Sequence, residues 1–364
     1  MKFTCEQTAL LTALSTVTRA IASRSTLDIL DCVLFQVEED AALMTCTDLA
    51  LGIELRLEVS VQEEGRVALP GKLLHEIVRK MPPGEVVVQV GDNLSARISC
   101  ASSRMTLTGR PADDFPQIPP VEGPDAVSMD ADDFKAMVRE TTFSAATDET
   151  RQILTGCLLE VHGDDVQLVA VDGYRLALRK GKAPARVDAD ISAVLPARSL
   201  TELSRIVEGE ALQLQFSKSH MMAQWENARV VIRMLEGEFI KYRQILPTEW
   251  KTRLVVRRDE FDDAIERMAL MAREGKNNLV QMKLSGDVLV LTSASELGDA
   301  RDEMQALIEG APLDIAFNVR FLADVLKNIQ DECLVFRFQT GVSPCVMVPQ
   351  EGEAYLYMIL PVRA

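Results

Sequence analysis

Several features that mark common protein classes are missing from this sequence of 364 residues. The formal net charge is −16, which argues against a generic cationic coat protein for nucleic acid but does not exclude a local basic surface. Seven cysteines show no CxxC spacing, and an odd number of scattered thiols is typical of small core residues in a reducing compartment. Aromatic residues make up only 5% of the chain, so its cores must be built mainly from Leu, Val, Ile and Met.

The sequence also lacks the signals of membrane insertion and of common catalysis. No run reaches the roughly 18 apolar residues of a membrane span, and the opening residues do not resemble a signal peptide, which predicts a cytoplasmic protein. No GxGxxG, Walker A, HExxH or GxSxG element occurs. Paired acidic residues fall where turns and first helical turns are predicted, and these positions favour acids without any catalytic role. We therefore predict a non-enzymatic protein with no cofactor and no metal, and keep an enzyme with an unfamiliar site as a distant alternative.

A hairpin pattern occurs three times in the chain. Residues 166–180 read as a strand, a tight turn at Asp172-Gly173, and a second strand. Asp48 occupies the same place in residues 43–55, 124 residues earlier (172 − 48), and Ser295 stands there in a degenerate third copy. A shared period at several landmarks indicates an internal repeat, which decides the whole fold.

Predicted helices keep the same period. Similar amphipathic segments begin at residues 69, 195 and 317, and another set of helical patterns opens at Leu10, Phe134 and Phe261. We predict an α+β fold of three domains, each with two helices packed on one side of antiparallel sheet and about eight strands. The predicted domains are residues 1–120, 121–247 and 248–364, with linkers rich in proline and acid at 111–125 and 246–250.

The helices hold a disproportionate share of the cations in this acidic chain. Ordinary solvated helix faces would explain that charge equally well. The functional alternative is a basic surface, repeated by symmetry, that contacts the phosphates of duplex DNA without reading bases. The second helices carry Lys72, Arg79 and Lys80, then Arg198 and Arg205, then Arg320 and Lys327.

Blocks of sequence in a fixed order make the chain resemble a known family. These blocks are MKFTCEQTALLTAL, SRSTLDIL, LPGKLLHEIVRKMPPGEV, RPADDFP, VAVDGYRLAL, FNVRFLADVL and YLYMILPVR. The chain is similar throughout its length to the bacterial DNA sliding clamp, the β subunit of the DNA polymerase III holoenzyme. The resemblance implies three DNA-clamp domains per chain and a homodimer that closes as a six-domain ring around double-stranded DNA. It implies a processivity factor in DNA replication, whose binding to DNA is topological and non-specific.

The resemblance also implies a partner-peptide groove between the second and third domains. It would receive short motifs of the DNA polymerase, the clamp loader and repair proteins, on an apolar floor with a polar rim. In particular, we expect the hairpin at residues 166–180 to meet the last strand of the chain. The groove residues carried over are Arg151, Leu154, Val171, Gly173, Tyr174, Arg175, Leu176, Pro247, Asn318, Phe321, Val342, Pro344, Met358, Ile359, Leu360, Pro361, Val362 and Arg363.

Two further sets of residues follow from the resemblance. The DNA-facing set is Arg24, Lys72, Arg79, Lys80, Arg198 and Arg205. The dimer interface would bring Arg97, Arg104, Met105 and Leu107 of one chain against Leu270, Met271, Glu296, Asp299, Asp302 and Glu303 of the other. The main rival is an adaptor scaffold that uses only the peptide groove and never encircles DNA.

Overall fold

The computed structural model describes residues 1–22, 27–123, 126–188, 190–275 and 278–363, except the side chain of Glu149. The chain forms two compact units: residues 1–132 with 202–234, and residues 133–201 with 235–364. No helix in the described ranges is both long enough and apolar enough to span a membrane.

Helices occur where the sequence predicts them. The ends of two helices reflect local chemistry. Pro82 closely follows α2 (Gly71–Lys80), and Asn318 caps α6 (Val319–Leu326) by accepting a 2.9 Å hydrogen bond from the Arg320 N–H. α6 is shorter than predicted, since it ends at Leu326 and not at residue 329. The helices in the described part of the chain are α1 Gln7–Val17, α2 Gly71–Lys80, α3 Ala131–Thr142, α4 Ala197–Ile206, α5 Arg258–Glu274 and α6 Val319–Leu326.

The strands also follow the repeat. The first repeat holds β1 Lys2–Glu6, β2 Cys32–Glu38, β3 Ala41–Thr47, β4 Leu51–Glu58, β5 Ser60–Glu63, β6 Gly65–Pro70, β7 Glu85–Val90, β8 Ser95–Cys100 and β9 Ser103–Thr108. The second holds β10 Ala126–Asp130, β11 Gly156–His162, β12 Asp165–Val171, β13 Arg175–Lys182, β14 Ile191–Pro196, β15 Ala211–Phe216, β16 His220–Trp225 and β17 Ala228–Arg233. The third holds β18 Thr252–Arg257, β19 Leu279–Ser285, β20 Val288–Ser295, β21 Gly298–Gln305, β22 Leu307–Gly310, β23 Leu313–Asn318, β24 Cys333–Phe338, β25 Cys345–Val348 and β26 Tyr355–Ile359.

The described residues form four antiparallel sheets, and the two large ones cross the repeat boundaries. The first unit contains a five-stranded sheet, β5-β1-β7-β8-β9, and an eight-stranded sheet, β10-β15-β16-β17-β4-β3-β2-β6. The second unit contains a nine-stranded sheet, β14-β11-β12-β13-β26-β25-β24-β18-β22, and a four-stranded sheet, β21-β20-β19-β23. Each large sheet therefore draws strands from two consecutive repeats, which the sequence did not reveal.

One pairing rule joins consecutive repeats. The second strand of the first hairpin, β4, pairs with β17, the last strand of the second repeat. The second strand of the second hairpin, β13, pairs with β26, the last strand of the third repeat. Each hairpin thus extends the sheet of the repeat that follows it.

Turn geometry confirms that the hairpins are copies. Asp172 Oδ1 accepts hydrogen bonds from the N–H groups of Tyr174 and Arg175 at 2.8 and 3.0 Å. Asp48 Oδ1 makes the same two bonds, to the second and third residues after it, at 3.0 and 2.7 Å. In the third copy the Ser295 hydroxyl accepts only the first of them, at 3.2 Å, because its side chain is shorter and carries one oxygen.

Helices α5 and α6 cover one face of the sheets in the second unit. Phe261, Ile265 and Met268 of α5 and Leu322 and Val325 of α6 are buried in one apolar cluster with residues from both sheets of that unit. In the first unit, α1 packs beside α2, and Gln7 donates a 2.7 Å hydrogen bond to the Val78 carbonyl. The predicted layering of two helices on antiparallel sheet is therefore found in these two repeats. The predicted domain boundaries stay predictions.

Candidate functional site

An apolar cluster lies on one face of the nine-stranded sheet, in the second unit. It contains four of the predicted groove residues, Leu154, Val171, Leu176 and Met358, together with Val346. Leu176 on β13 lies directly opposite Val171 on β12 and Met358 on β26. The expectation that the hairpin and the last strand meet in space is therefore confirmed. Leu176 and Val171 are only 1% and 2% exposed, so they form the floor beneath a surface and not the surface itself.

Strand alternation places one predicted groove residue on the other face. Ile359 follows Met358 on β26, and its side chain packs into the cluster covered by α5 and α6. The assignment of Ile359 to the groove is therefore wrong, since neighbouring residues of a strand point to opposite faces of the sheet. The predicted strand also ends here: residues 360–363 lie outside β26, and Pro361 has no N–H to donate.

Arg175 organises the turn between β12 and β13. Its guanidinium donates to the Asp172 carboxylate at 3.0 Å, to Asp324 of α6 at 2.6 Å and to the Phe143 carbonyl at 2.8 Å. It also lies 4.8 Å from the ring centroid of Phe321. Tyr174, which is 63% exposed, stacks on the same Phe321 ring with centroids 6.0 Å apart. The predicted residues Tyr174, Arg175 and Phe321 are thus brought together, and together they fix the hairpin turn against α6.

The turn itself places Gly173 beside Arg151. Gly173 has φ +94°, a backbone conformation that favours glycine. A side chain at this position would point toward the Arg151 guanidinium, 3.9 Å from the site of a Cβ. Arg151 is exposed and adopts a non-helical conformation within a 3-10 segment, Glu149–Thr155. An exposed cation therefore stands beside this turn.

Residues 360–363, which follow β26, form one side of a separate cavity. The Leu360 N–H donates to the Tyr174 carbonyl at 2.9 Å, and the Val362 N–H donates to the Ala316 carbonyl at 2.8 Å. Val362 and Arg363, with the 71% exposed Val342, line a cavity of about 920 Å³ beside β19 and β20. The remaining predicted residues, Pro247, Asn318, Pro344, Leu360 and Pro361, are half-buried.

A buried polar contact holds residues 239–246 over the apolar cluster. Sequence reasoning missed this contact. Glu160 on β11 accepts hydrogen bonds from the Tyr242 hydroxyl at 2.7 Å and from both terminal nitrogens of Arg243 at 3.0 and 2.8 Å. Burial alone would raise the pKa of Glu160, but the hydrogen bonds from Arg243 and Tyr242 outweigh it and lower that pKa. Phe239, Tyr242 and Leu246 of the same segment pack against the cluster. A strand glutamate followed some 80 residues later by Tyr-Arg gives no recognisable sequence signal.

The predicted DNA-facing cations lie on exposed helix surfaces. Lys72, Arg79 and Lys80 are exposed on α2, and Arg198 is exposed on α4. Arg24 lies outside the described residues. Arg205 is also exposed and forms a 2.8 Å ion pair with Glu202, which pairs with Arg19 at 2.8 Å as well. One carboxylate therefore sets the positions of two arginines, an arrangement that the sequence did not indicate.

The predicted interface residues lie on the edge strands β9 and β21, on β8, in the turn before β21 and on α5. Met105 on β9 is 46% exposed and Leu270 on α5 is 61% exposed, whereas Leu107 is buried within its own sheet. Met271 is half-buried. Leu297, at 78% exposed, is a large apolar side chain beside β21 that sequence reasoning did not select.

The predicted interface charges fall into two groups. Among the described residues, Arg97 and Arg104 have no carboxylate within ion-pair distance, and Glu296 and Asp299 have no cation. Asp302 and Glu303 differ, because Arg267 and Arg301 pair with them at 2.6 and 2.7 Å. Four charges are therefore available to a second molecule, and two are already neutralised within the chain.

These features define a protein of three repeated α+β domains in which consecutive repeats share sheets. Family models described as the N-terminal, central and C-terminal domains of the DNA polymerase III beta subunit match residues 1–119, 128–241 and 243–363. The chain belongs to this family, the bacterial sliding clamps. Sliding clamps are not enzymes, which agrees with the prediction from the sequence.

Individual relatives match over the full length. The beta sliding clamp of Synechocystis sp. is 32% identical, with 100% of this chain and 99% of the relative covered. The beta sliding clamp of Bacillus subtilis is 30% identical, with both chains fully covered. Among solved structures, the DNA polymerase sliding clamp of Bacillus subtilis superposes with a TM-score of 0.96 at 30% identity, over 100% of this chain and 99% of that one. The sliding clamp of Pseudomonas aeruginosa bound to griselimycin gives a TM-score of 0.95 at 27% identity, with full coverage of both.

Proposed function

We propose that this chain is the processivity clamp of a replicative DNA polymerase. Two copies close into a ring of six domains around duplex DNA, inside the cell. The ring holds the polymerase on its template through the peptide groove, so that enclosure of DNA replaces tight binding. The clamp loader and repair proteins use the same groove through short motifs.

The pairing rule between repeats carries this proposal. β4 and β13, the second strands of the first two hairpins, each pair with the last strand of the next repeat. Within the described residues, β21 of the third hairpin pairs only with β20, and β9, the last strand of the first repeat, pairs only with β8. If the rule continues, β21 of one protomer pairs with β9 of its partner. Two such contacts close two chains head to tail and leave neither strand as an unprotected edge.

The same rule gives a register for this contact. In the second unit, Arg175, three residues after the turn aspartate, lies opposite Ile359. The equivalent pair is Gly298 opposite Leu107, which places Asp299 opposite Thr106 and diagonal to Arg104 of the partner protomer. The exposed Met105 then lies on the strand that approaches Leu270 and Leu297. Apolar contacts supply affinity here, and the charges supply orientation.

The exposed cations on α2 and α4 support the DNA-binding role. They stand on helix surfaces, where they can follow the phosphate backbone without entering a groove. The net charge of −16 makes tight binding to DNA unfavourable for the chain as a whole. A ring that encloses DNA needs only weak, sequence-blind contacts, which permit sliding.

Retention on circular DNA tests the proposal. A loaded ring should stay on nicked circular DNA during gel filtration and leave when the DNA is cut once, because only a topological link depends on DNA ends. Equal loss from both forms would favour the adaptor scaffold that uses only the groove. Light scattering should give a mass of about twice 40.2 kDa.

A further inference from the structure

A second pocket continues the apolar cluster of the groove on the same face of the nine-stranded sheet. We call it the outer pocket; its volume is about 430 Å³ and its floor is Leu178, Leu246, Val348 and Leu356. Leu178 and Leu356 form the next same-face pair along β13 and β26 after Leu176 and Met358. Because same-face residues of a strand recur about 7 Å apart, the outer pocket is within reach of one or two further residues of a bound peptide.

The rim of the outer pocket carries three cations in different states. Lys180 pairs with Glu353 at 2.6 Å, and Arg243 pairs with Glu160 at 2.8 Å. Arg337 has no carboxylate within ion-pair distance among the described residues, and its buried Nε has no hydrogen-bond acceptor there. The guanidinium instead stacks on Trp250, with its central carbon 4.1 Å from the ring centroid. Such stacking holds the planar group in place and leaves its donors available.

We propose that the outer pocket binds an acidic side chain and a neighbouring apolar side chain of the partner segment that occupies the groove. The carboxylate of the partner segment pairs with Arg337, because the other two cations of the rim, Lys180 and Arg243, already pair with carboxylates. The apolar side chain covers Leu178 and Leu356. Arg337 belongs to the groove face because it lies two residues beyond Val335, a member of the same apolar cluster. The inference rests on the proposed function, since it extends the peptide beyond the groove.

Peptides that differ in one charge test this inference. The core probe is a fluorescent peptide copied from the clamp-binding segment of the replicative polymerase. Extended probes add Asp-Leu or Asn-Leu to either end, and fluorescence anisotropy gives the affinity of each. One Asp-Leu probe should bind about tenfold more tightly than its Asn-Leu counterpart at low salt, and Arg337→Gln should remove that advantage without altering the core probe.

A matched variant and three distinct outcomes keep the test decisive. Arg257→Gln changes another arginine of the same sheet, which pairs with Asp259, Glu260 and Glu332, and should leave the Asp-Leu advantage intact. Failure of the core probe to bind would contradict the proposed function. Normal core binding with equal Asp-Leu and Asn-Leu affinities would overturn the outer pocket alone. A loss of DNA retention in Arg337→Gln, with unchanged peptide affinities, would mean that the outer pocket contacts nucleic acid. That result would also overturn the inference.

Discussion

Arg175 donates a 2.6 Å hydrogen bond to Asp324, and this pair ties the turn between β12 and β13 to helix α6. The turn belongs to the second repeat and the helix to the third. Arg175 has 11% of its side chain exposed, so water cannot easily replace the lost partner if the pair is broken. The shape of the groove edge, where Tyr174 stacks on Phe321, therefore depends on one guanidinium.

Replacing Arg175 should loosen this edge. Arg175→Gln leaves Asp172, Asp324 and the Phe143 carbonyl without their shared donor, and we expect a loss of about 1.5–3 kcal/mol in stability. Peptide affinity should fall more than dimer affinity, because the residue contacts neither β9 nor β21. Thermal unfolding, peptide anisotropy and light scattering measure the three quantities. Asp324→Asn keeps the Asp172 contact and should show a smaller effect; an equal or larger one would contradict this account.

An exposed residue gives a cleaner test of the groove than a buried one. Leu176→Asp would place a carboxylate at a position 1% exposed, so it should destabilise the second unit and not simply block a peptide. Tyr174→Ala removes a 63% exposed ring instead and should weaken peptide binding about tenfold with little change in melting temperature. A Tyr174→Ala protein with native peptide affinity would place the docking surface elsewhere.

A charge swap tests the proposed contact between β9 and β21. Thr106→Glu should produce monomers at micromolar concentration, because it puts a second acid directly opposite Asp299 of the partner protomer. Adding Asp299→Arg should restore dimers, since the two residues face each other in the inferred register. Leu270→Asp should also give monomers, and no second charge change at Asp299 should rescue it. Dimers that persist in Thr106→Glu at all concentrations would refute the register.

The sequence predicted the repeated elements well, because hairpin turns and amphipathic helices leave local patterns. Asp48 and Asp172 mark the same turn, and the structure shows the same two hydrogen bonds at each. Sheet sharing was not predictable in this way: β13 pairs with β26 across some 180 residues, and nothing local in either strand specifies its partner. Ile359 was assigned to the groove but faces the opposite side of the sheet. The family resemblance assigned a continuous stretch of residues, whereas neighbouring side chains of a strand point to opposite faces.

A glycine distinguishes the first hairpin copy from the second. Gly52 stands four residues after Asp48, as Leu176 stands four after Asp172. A Cβ at Gly52 would lie 2.6 Å from Ile118 Cδ1, so the chain's own linker fills this place. The cavity that remains there is about 60 Å³, too small for a peptide side chain with its backbone. Space at one residue therefore distinguishes the first hairpin copy from the second, although both share the repeat pattern.

The lowered pKa of Glu160 predicts a specific pH dependence of stability. A carboxylate whose pKa is lower in the folded chain stabilises the fold above its unfolded pKa of about 4.3, and loses that contribution as the pH falls through the folded value. Glu160→Gln removes the titration and the negative charge that both hydrogen bonds from Arg243 use. The difference in melting temperature between wild type and variant should be constant above about pH 5.5 and shrink below about pH 4. A difference that grows on acidification would contradict the assigned direction.

The Glu202 carboxylate should weaken DNA binding. It pairs with Arg19 and Arg205 at 2.8 Å each and is 18% exposed, so both guanidinium groups are partly neutralised on the helix surface. Glu202→Gln keeps a similar shape and frees both cations for phosphate. The slope of log affinity against log salt for linear duplex should steepen, by roughly 0.9 for each new phosphate contact. Arg198→Gln should flatten it by a similar amount, and Arg205→Gln should flatten it less, because Glu202 already pairs with Arg205. Arg253→Gln, on β18 and paired with Glu309, should leave the slope unchanged. Equal slopes for wild type, Glu202→Gln and Arg198→Gln, measured by filter binding from 50 to 200 mM salt, would remove these helices from the DNA surface.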